Sequence, residues 1–455
     1  LVRKWKVHGV ERATTFGYAR PDDGAYIGYR VDGEGPIDIA FQIDWPGNVD
    51  MAWMDPGFEP WLGSLASFGR VIVHDHRGVG LSSRDMELPS LETRVSDLLA
   101  VLQATATSRP VLAGIFASGG VNVLLAALRP RLPRALVWIE PMARYGWASD
   151  YPWGLTEEAR EIERGFLSLW GTEDYAKVLS EQEAVGGNVL SPEMVAFNPI
   201  TTRNACTPDV ALQLSDMWYQ TDVRGVLEAV KAPTLLLVHE GRKGSLEQAE
   251  YIASRMPAAE VRRMPGVAWT NDEAVAWAEE IREFVGVTPP SIGTGTTVLS
   301  TVLFTDIVGS TERQSSLGDR GWKELVGKHH GIVREALGRY RGVEVDTAGD
   351  GFFSTFDGPA RAIGCALDVS ERVRELGIEV RAGVHTGECE VIDGKIGGIT
   401  VSIGARVAAT AGASEVRVSQ TVKDLVAGSG LNFEDAGEHE LKGVPDRWRL
   451  YRVAN

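Results

Sequence analysis

Residues 298–307 read VLSTVLFTDI and residues 343–356 read VEVDTAGDGFFSTF. The first is an apolar, β-branched run that ends at Asp306, and a Gly-Ser-Thr turn after it opens a helical pattern, so a buried strand delivers a carboxylate to its tip. The second divides into strands at 343–347 and 352–356, with Asp350-Gly351 between them as a hairpin signal. If the first strand lies beside the hairpin, Asp306 and Asp350 converge at one end of a sheet. Two aspartates with little else to neutralise them suit Mg²⁺ or Mn²⁺, which prefer oxygen ligands and commonly bridge to substrate phosphates.

Outward from these stretches, the order is strand 298–305, helices through about 340, the hairpin, helix 359–376 and strand 378–387. A helix at 400–411, a strand at 415–419 and closing strands around 431–453 complete it. That βαββαβ-like order predicts an antiparallel-leaning α+β sandwich. Immediately upstream, GVTPPSIGTGTT at 286–297 has the Pro, Gly and Thr content of a linker. Before it, IDIAFQI, RVIVHD, PVLAGI, RALVWI and PTLLLV alternate with helical segments, which predicts a mostly parallel sheet covered on both faces. Between about 143 and 228 the pattern turns to helices rich in Trp, Tyr and Glu, a cap inserted over the sheet.

The 455 residues exceed one ordinary domain, and 46 Lys+Arg against 62 Asp+Glu leave a net charge of −16. No basic patch stands out against that field, so no nucleic-acid partner is expected. Three cysteines, Cys206, Cys365 and Cys389, are too few for a disulfide framework and read as small buried residues. No apolar run approaches the roughly 18 residues that span a bilayer, and LVRKWKVHGV lacks a signal-peptide core, so no membrane association and a cytoplasmic location are expected. His74 with His76, and His329 with His330, carry no metal-type spacing.

FTDIVGST, TAGDGF and VSIGAR together resemble the class III nucleotide cyclase catalytic domain over about 298–455. The resemblance implies a palm-like fold with a ferredoxin-like core, head-to-tail homodimers, and conversion of ATP to 3′,5′-cyclic AMP and pyrophosphate. Asp306, Asp350 and the backbone carbonyl of Ile307 would ligate two Mg²⁺ or Mn²⁺ ions per site. Arg406 falls at the family's transition-state arginine, whose guanidinium fork suits charge spread over phosphoryl oxygens. Ser402 stands where the family usually has a ribose-orienting Asn, and Lys442 matches its triphosphate-contacting lysine. Adenylyl cyclases typically carry Lys at the position of Asp346 and Asp at that of Lys395. The exchange of charges fits guanine O6 and N1–H on paper, so GTP stands as an alternative to ATP.

RVIVHDHRGVGLSS and the cap resemble the α/β-hydrolase superfamily over about 16–285, with residues 1–15 as an N-terminal extension. The family's nucleophile elbow G-x-S-x-G-G aligns on VLAGIFASGG, which puts Phe116 at the nucleophile and Ser118 two residues late. Arg242 and Lys243 occupy the acid's slot, Trp269 the histidine's, and Asp44 and Trp45 the oxyanion-hole His-Gly. The domain is therefore expected to keep the fold without hydrolysis, to regulate the cyclase or sense a ligand, and to offer Trp147, Trp153, Trp170 and Trp218 to a small apolar molecule. Mycobacterial adenylyl cyclases pair the same two domains. Alternatives are a catalytically weak cyclase fold serving as a binding partner, and a working esterase or epoxide hydrolase.

Overall fold

The structure, a computed structural model, describes residues 3–7, 10–43, 47–84, 89–186, 189–265, 271–286, 297–392 and 395–454. The chain divides into two compact units near residue 292. In the N-terminal unit a sheet contains β1 Arg3–Val7, β2 Val10–Ala19, β3 Ile27–Asp32, β4 Ile37–Gln42, β5 Gly69–His74, β6 Val111–Ile115, β7 Ala135–Ile139, β8 Thr234–His239 and β9 Ala259–Met264. Their order is β1-β2-β3-β5-β4-β6-β7-β8-β9. From β5 to β9 every pairing is parallel, while β1, β2 and β3 join the edge antiparallel. Every residue of β6, β7 and β8 is buried, as a parallel sheet with helices on both faces requires.

Residues 1–15, expected as an extension, instead supply β1 and the start of β2 to that edge, with Trp5 opposite Arg12. Between β7 and β8 the chain forms the helices Glu157–Leu167, Glu173–Gly186, Pro192–Ala205 and Pro208–Gln220. Three of them start on a hydroxyl that accepts a backbone N–H three residues on: Thr156, Ser191 and Thr207. They enclose their own small core around Leu167, Trp170, Tyr175, Leu214 and Trp218.

The C-terminal unit comprises β10 Thr297–Ile307, β11 Val343–Ala348, β12 Gly351–Phe356, β13 Val380–Ile392, β14 Lys395–Gly397, β15 Val416–Ser419, β16 Asn432–Glu440 and β17 Arg447–Ala454. They run β11-β12-β10-β13-β15-β17-β16, with β14 on β13. Among the described residues of this unit only β13 and β15 pair parallel. Leu303 and Ile307 of β10 point to the core shared with helices Ser310–Tyr340 and Pro359–Arg372. The alternate residues Val302 and Phe304 face helix Ile399–Thr410, because side chains alternate across a strand. Gly404 makes that helix lie flush: a Cβ there would come within 2.4 Å of Val302.

Candidate active site

Central pairing fixes Asp306. β10 is hydrogen-bonded on both sides, to β12 with Thr305 opposite Phe352 and to β13 with Asp306 opposite Arg381. The neighbouring hairpin closes at the Ala348–Gly351 pair, so its two loop residues are Gly349 and Asp350, one residue earlier than the sequence signal suggested. Gly349 supplies φ +63°, the positive value that the first central position of a type II′ turn demands. Asp350 is thereby aimed across at β10, and its Oδ2 accepts the backbone N–H of Ile307 at 3.1 Å. The strand tip and the hairpin tip bring Asp306 and Asp350 into hydrogen-bond range of each other.

Partial burial raises the Asp350 pKa above the ordinary aspartate value, and the adjacent Asp306 charge pushes it the same way. Arg381 Nη2 answers that charge at 2.6 Å from Asp306 Oδ2. His330 Nε2 lies 3.0 Å from the carbonyl of Gly349 and so braces the hairpin loop. His329, buried against Phe352, is lowered to about 4 by burial. Arg381 carries no signal in the sequence, and His330 stands out there only as a histidine rejected as a metal ligand. The period-two pairing of Arg381 with Asp306 follows only once the strand register is known.

Two half-exposed carboxylates, with Asp350 raised by burial and by the charge of its neighbour, are a fit for a divalent cation, which would relieve their repulsion. Among the described residues no cluster of three or more His, Cys, Asp or Glu side chains is arranged for metal. A site here would use Asp306, Asp350 and the Ile307 carbonyl, and leave the remaining positions to other oxygens.

Ser402 and Arg406 are exposed and stand one turn apart on helix Ile399–Thr410. Arg406 Nε donates to the carbonyl of Lys442 at 3.1 Å, which joins the helix to the loop between β16 and β17. Asp346 is exposed on β11, beside a bulge between Glu344 and Asp346, and accepts the N–H of Thr347 at 2.9 Å. Lys395 begins β14, but its side chain lies outside the described residues.

In the N-terminal unit, Phe116 occupies the elbow at φ +49°, a value rare for a bulky side chain. Trp138 Nε1 donates to its carbonyl at 2.6 Å. Ser118 is fully buried, with its hydroxyl 3.1 Å from the Ile115 N–H and 3.2 Å from the Gln42 carbonyl, so it locks the turn. Arg242 lies over the Phe116 ring at 4.6 Å, 3.5 Å from Glu140 and 3.2 Å from Glu183 of the cap. Glu140 also accepts the His239 N–H at 2.6 Å and the Ser245 hydroxyl. Asp44, Trp45 and Trp269 lie outside the described residues. Of the four cap tryptophans, Trp218 alone lines the cavity above the elbow, whereas Trp170 donates to the Thr202 and Cys206 carbonyls, Trp153 packs on Tyr151 and Trp147 is exposed. The three cysteines are free and buried. His74 is buried and lowered to about 3, and His76 accepts from Arg94 at 2.8 Å.

Residues 296–455 match the family model described as the adenylate and guanylate cyclase catalytic domain. Uncharacterized proteins of Mycobacterium bovis and Mycobacterium tuberculosis are 34% identical over 118 residues, which is 25% of this chain and 41% of theirs. The chain thus spans well under half the length of these curated relatives. An esterase from Exiguobacterium antarcticum superposes with a TM-score of 0.52 at 17% identity over 60% of this chain and 100% of that one. That likeness shows the α/β-hydrolase fold of the N-terminal unit. The adenylyl cyclase CyaB from P. aeruginosa aligns at 20% identity and TM-score 0.34, covering 36% of this chain and 97% of that one. No helix among the described residues is long and apolar enough to cross a membrane.

Proposed function

With residues 296–455 an adenylate and guanylate cyclase catalytic domain, we propose that the protein converts ATP to 3′,5′-cyclic AMP and pyrophosphate, in a head-to-tail homodimer whose sites are shared between protomers. The single observation that carries this reading is the meeting of Asp306 and Asp350 at adjoining strand and hairpin tips, with the Ile307 N–H on Asp350. Divalent ions held by Asp306, Asp350 and the Ile307 carbonyl would acidify the ribose 3′-hydroxyl and neutralise the departing pyrophosphate.

The chain's own groups do the rest. Arg406, exposed and held at its Nε by the Lys442 carbonyl, keeps its terminal nitrogens for phosphoryl oxygens, where a planar fork outperforms a point charge. Ser402, one turn away, gives the ribose a single hydrogen bond where a carboxamide would give more directional contact, which lowers turnover. Lys442 contacts the triphosphate, and Asp346 with Lys395 reads the base. In this reading, as the resemblance to class III cyclases implies, one protomer supplies the metal aspartates and its partner the Ser402–Arg406 helix face. Cytoplasmic nucleotide is the substrate pool.

The test is purified protein with Mn²⁺ and either ATP or GTP, with cyclic product separated by chromatography. Cyclic AMP formation lost in Asp306→Ala supports the reading. Pyrophosphate release that persists in that variant sinks it. A preference for GTP would favour the guanylate alternative, for which the exchanged charges of Asp346 and Lys395 speak. No product from either nucleotide, with nucleotide still bound, would favour a cyclase-fold binding partner, the alternative motivated by Ser402.

The N-terminal unit regulates rather than hydrolyses. Phe116 has no proton to give a base, and Arg242 on its face cannot orient a histidine.

A further inference from the structure

Above the elbow of the N-terminal unit lies a cavity of about 460 Å³ between the sheet and the cap helices. Its size is that of a small-molecule site. The walls are apolar and aromatic: Ile115 and Phe116 from the sheet side, Leu155, Phe166, Leu179 and Trp218 from the cap. Four ionisable side chains reach it, Asp55, Glu163, Glu183 and Arg242, and each is already engaged.

Glu163 accepts from the Tyr145 hydroxyl at 2.9 Å and the Ser215 hydroxyl at 3.1 Å. Asp55 accepts the N–H groups of Gly57 at 2.8 Å and Phe58 at 3.3 Å. Glu183 is paired with Arg242, and Arg242 is held in addition by Glu140 and by the Phe116 ring. Two polar atoms of the lining, Asn198 Oδ1 and Thr201 Oγ1 on the same cap helix, are buried without a hydrogen-bond partner among the described residues.

We infer that this cavity is a binding site for an uncharged, largely apolar molecule with one hydroxyl, its chain against Phe116, Leu179 and Trp218 and its hydroxyl on Asn198. An anion would have to take Arg242 from Glu183 and then face three carboxylates. A cation would compete with hydroxyls, backbone N–H groups and Arg242 that already satisfy those carboxylates. Burial raises the pKa of both Asp55 and Glu163, the mark of an interior that penalises charge of either sign. A hydroxyl both donates and accepts, and so completes a carboxamide without charge. With Phe116 at the elbow the bound molecule is held, not turned over. This inference gives chemical content to the regulatory role proposed for the unit, yet its test uses no cyclase activity, so either can fail alone.

The experiment titrates the full chain with the neutral fluorophore prodan and displaces it with decanol, decanoate or decylammonium at neutral pH. Decanol should displace the dye at concentrations about tenfold or more below either charged chain, the minimum expected when a charge must be buried unpaired. Ala159→Trp and Leu179→Trp, on two different cap helices, should each weaken prodan binding by about tenfold by filling the space. Thermal unfolding identifies a variant that fails to fold, in which case the other decides. Equal competition by decanoate or decylammonium overturns the inference, as does dye binding unchanged in a folded filled variant.

Discussion

The elbow at Phe116 and the hairpin at Gly349–Asp350 are the same device in two sheets, a tight turn at a strand end that presents one side chain with the help of a residue at positive φ. At the hairpin the chain pays the electrostatic cost of two adjoining carboxylates. At the elbow the presented residue is a phenyl ring with a guanidinium laid on it, anchored by Glu140 and Glu183. The same turn geometry can therefore serve packing as well as chemistry. Position and reactivity are separable properties of a turn.

The sharpest way to break the comparison is to remove chemistry from the hairpin. Asp306→Ala should lower cyclic nucleotide formation by about a thousandfold, since loss of charge stabilisation at a phosphoryl-transfer site costs rate on that scale. Product formation within tenfold of the parent would mean that the carboxylate pair is ornamental. Mixing this variant with Arg406→Ala should restore part of the activity through interfaces that combine intact halves, as measured in the same chromatographic assay.

Next in size is base choice. Exchanging the charges in Asp346→Lys with Lys395→Asp should move the ATP-to-GTP ratio of kcat/KM toward ATP by about tenfold, the value of roughly one well-placed charged hydrogen bond. A ratio that does not move would mean the pair reads no base and acts as a salt bridge.

At the elbow the effect should be on stability alone. Arg242→Met strips a cation from Glu140 and Glu183 together, and should destabilise by about 2 kcal/mol, seen as a fall of roughly 4–8 °C in the unfolding midpoint of the N-terminal unit. Phe116→Ser, which writes a hydroxyl back into the elbow, should leave hydrolysis of an activated ester at buffer background. Measurable turnover there would erase the contrast between the two turns.

Much of this was legible in the sequence because it is local. The strand before Asp306 and the hairpin around Asp350 announce themselves by apolar, β-branched runs and a glycine, and the phenyl ring at the elbow is visible as Phe116 within VLAGIFASGG. What escaped depends on register and on distant contacts. Arg381 meets Asp306 across 75 residues and Glu140 meets Arg242 across 102 positions, 242 less 140, so no window of sequence contains either pair. The turn slipped by one because Gly349-Asp350 and Asp350-Gly351 both read as hairpin loops, and only the closing pair Ala348–Gly351 decides between them. The extension became an edge strand for a similar reason, since a charged five-residue run gives little periodic signal.

The smallest expected effect is also the most diagnostic of cost. Asp350 has its pKa raised by burial and by Asp306, so the folded state binds a proton more tightly than the unfolded chain does. Ionisation of this group then opposes folding: stability is highest below the unfolded aspartate value and falls as the pH climbs through the folded one. At neutral pH and without divalent ions, Asp350→Asn removes that penalty and should raise the unfolding midpoint by about 1–3 °C, a modest gain because the group is half exposed and screened. The gain should vanish below about pH 4, where the parent carboxyl is protonated in both states. It should also shrink when Mn²⁺ is added, because the cation stabilises the parent pair and has little hold on the variant. A variant no more stable than the parent at neutral pH would mean that Arg381 already cancels the repulsion. The hairpin would then carry its two acids at no cost to the fold, and would differ from the elbow only in the side chain it presents.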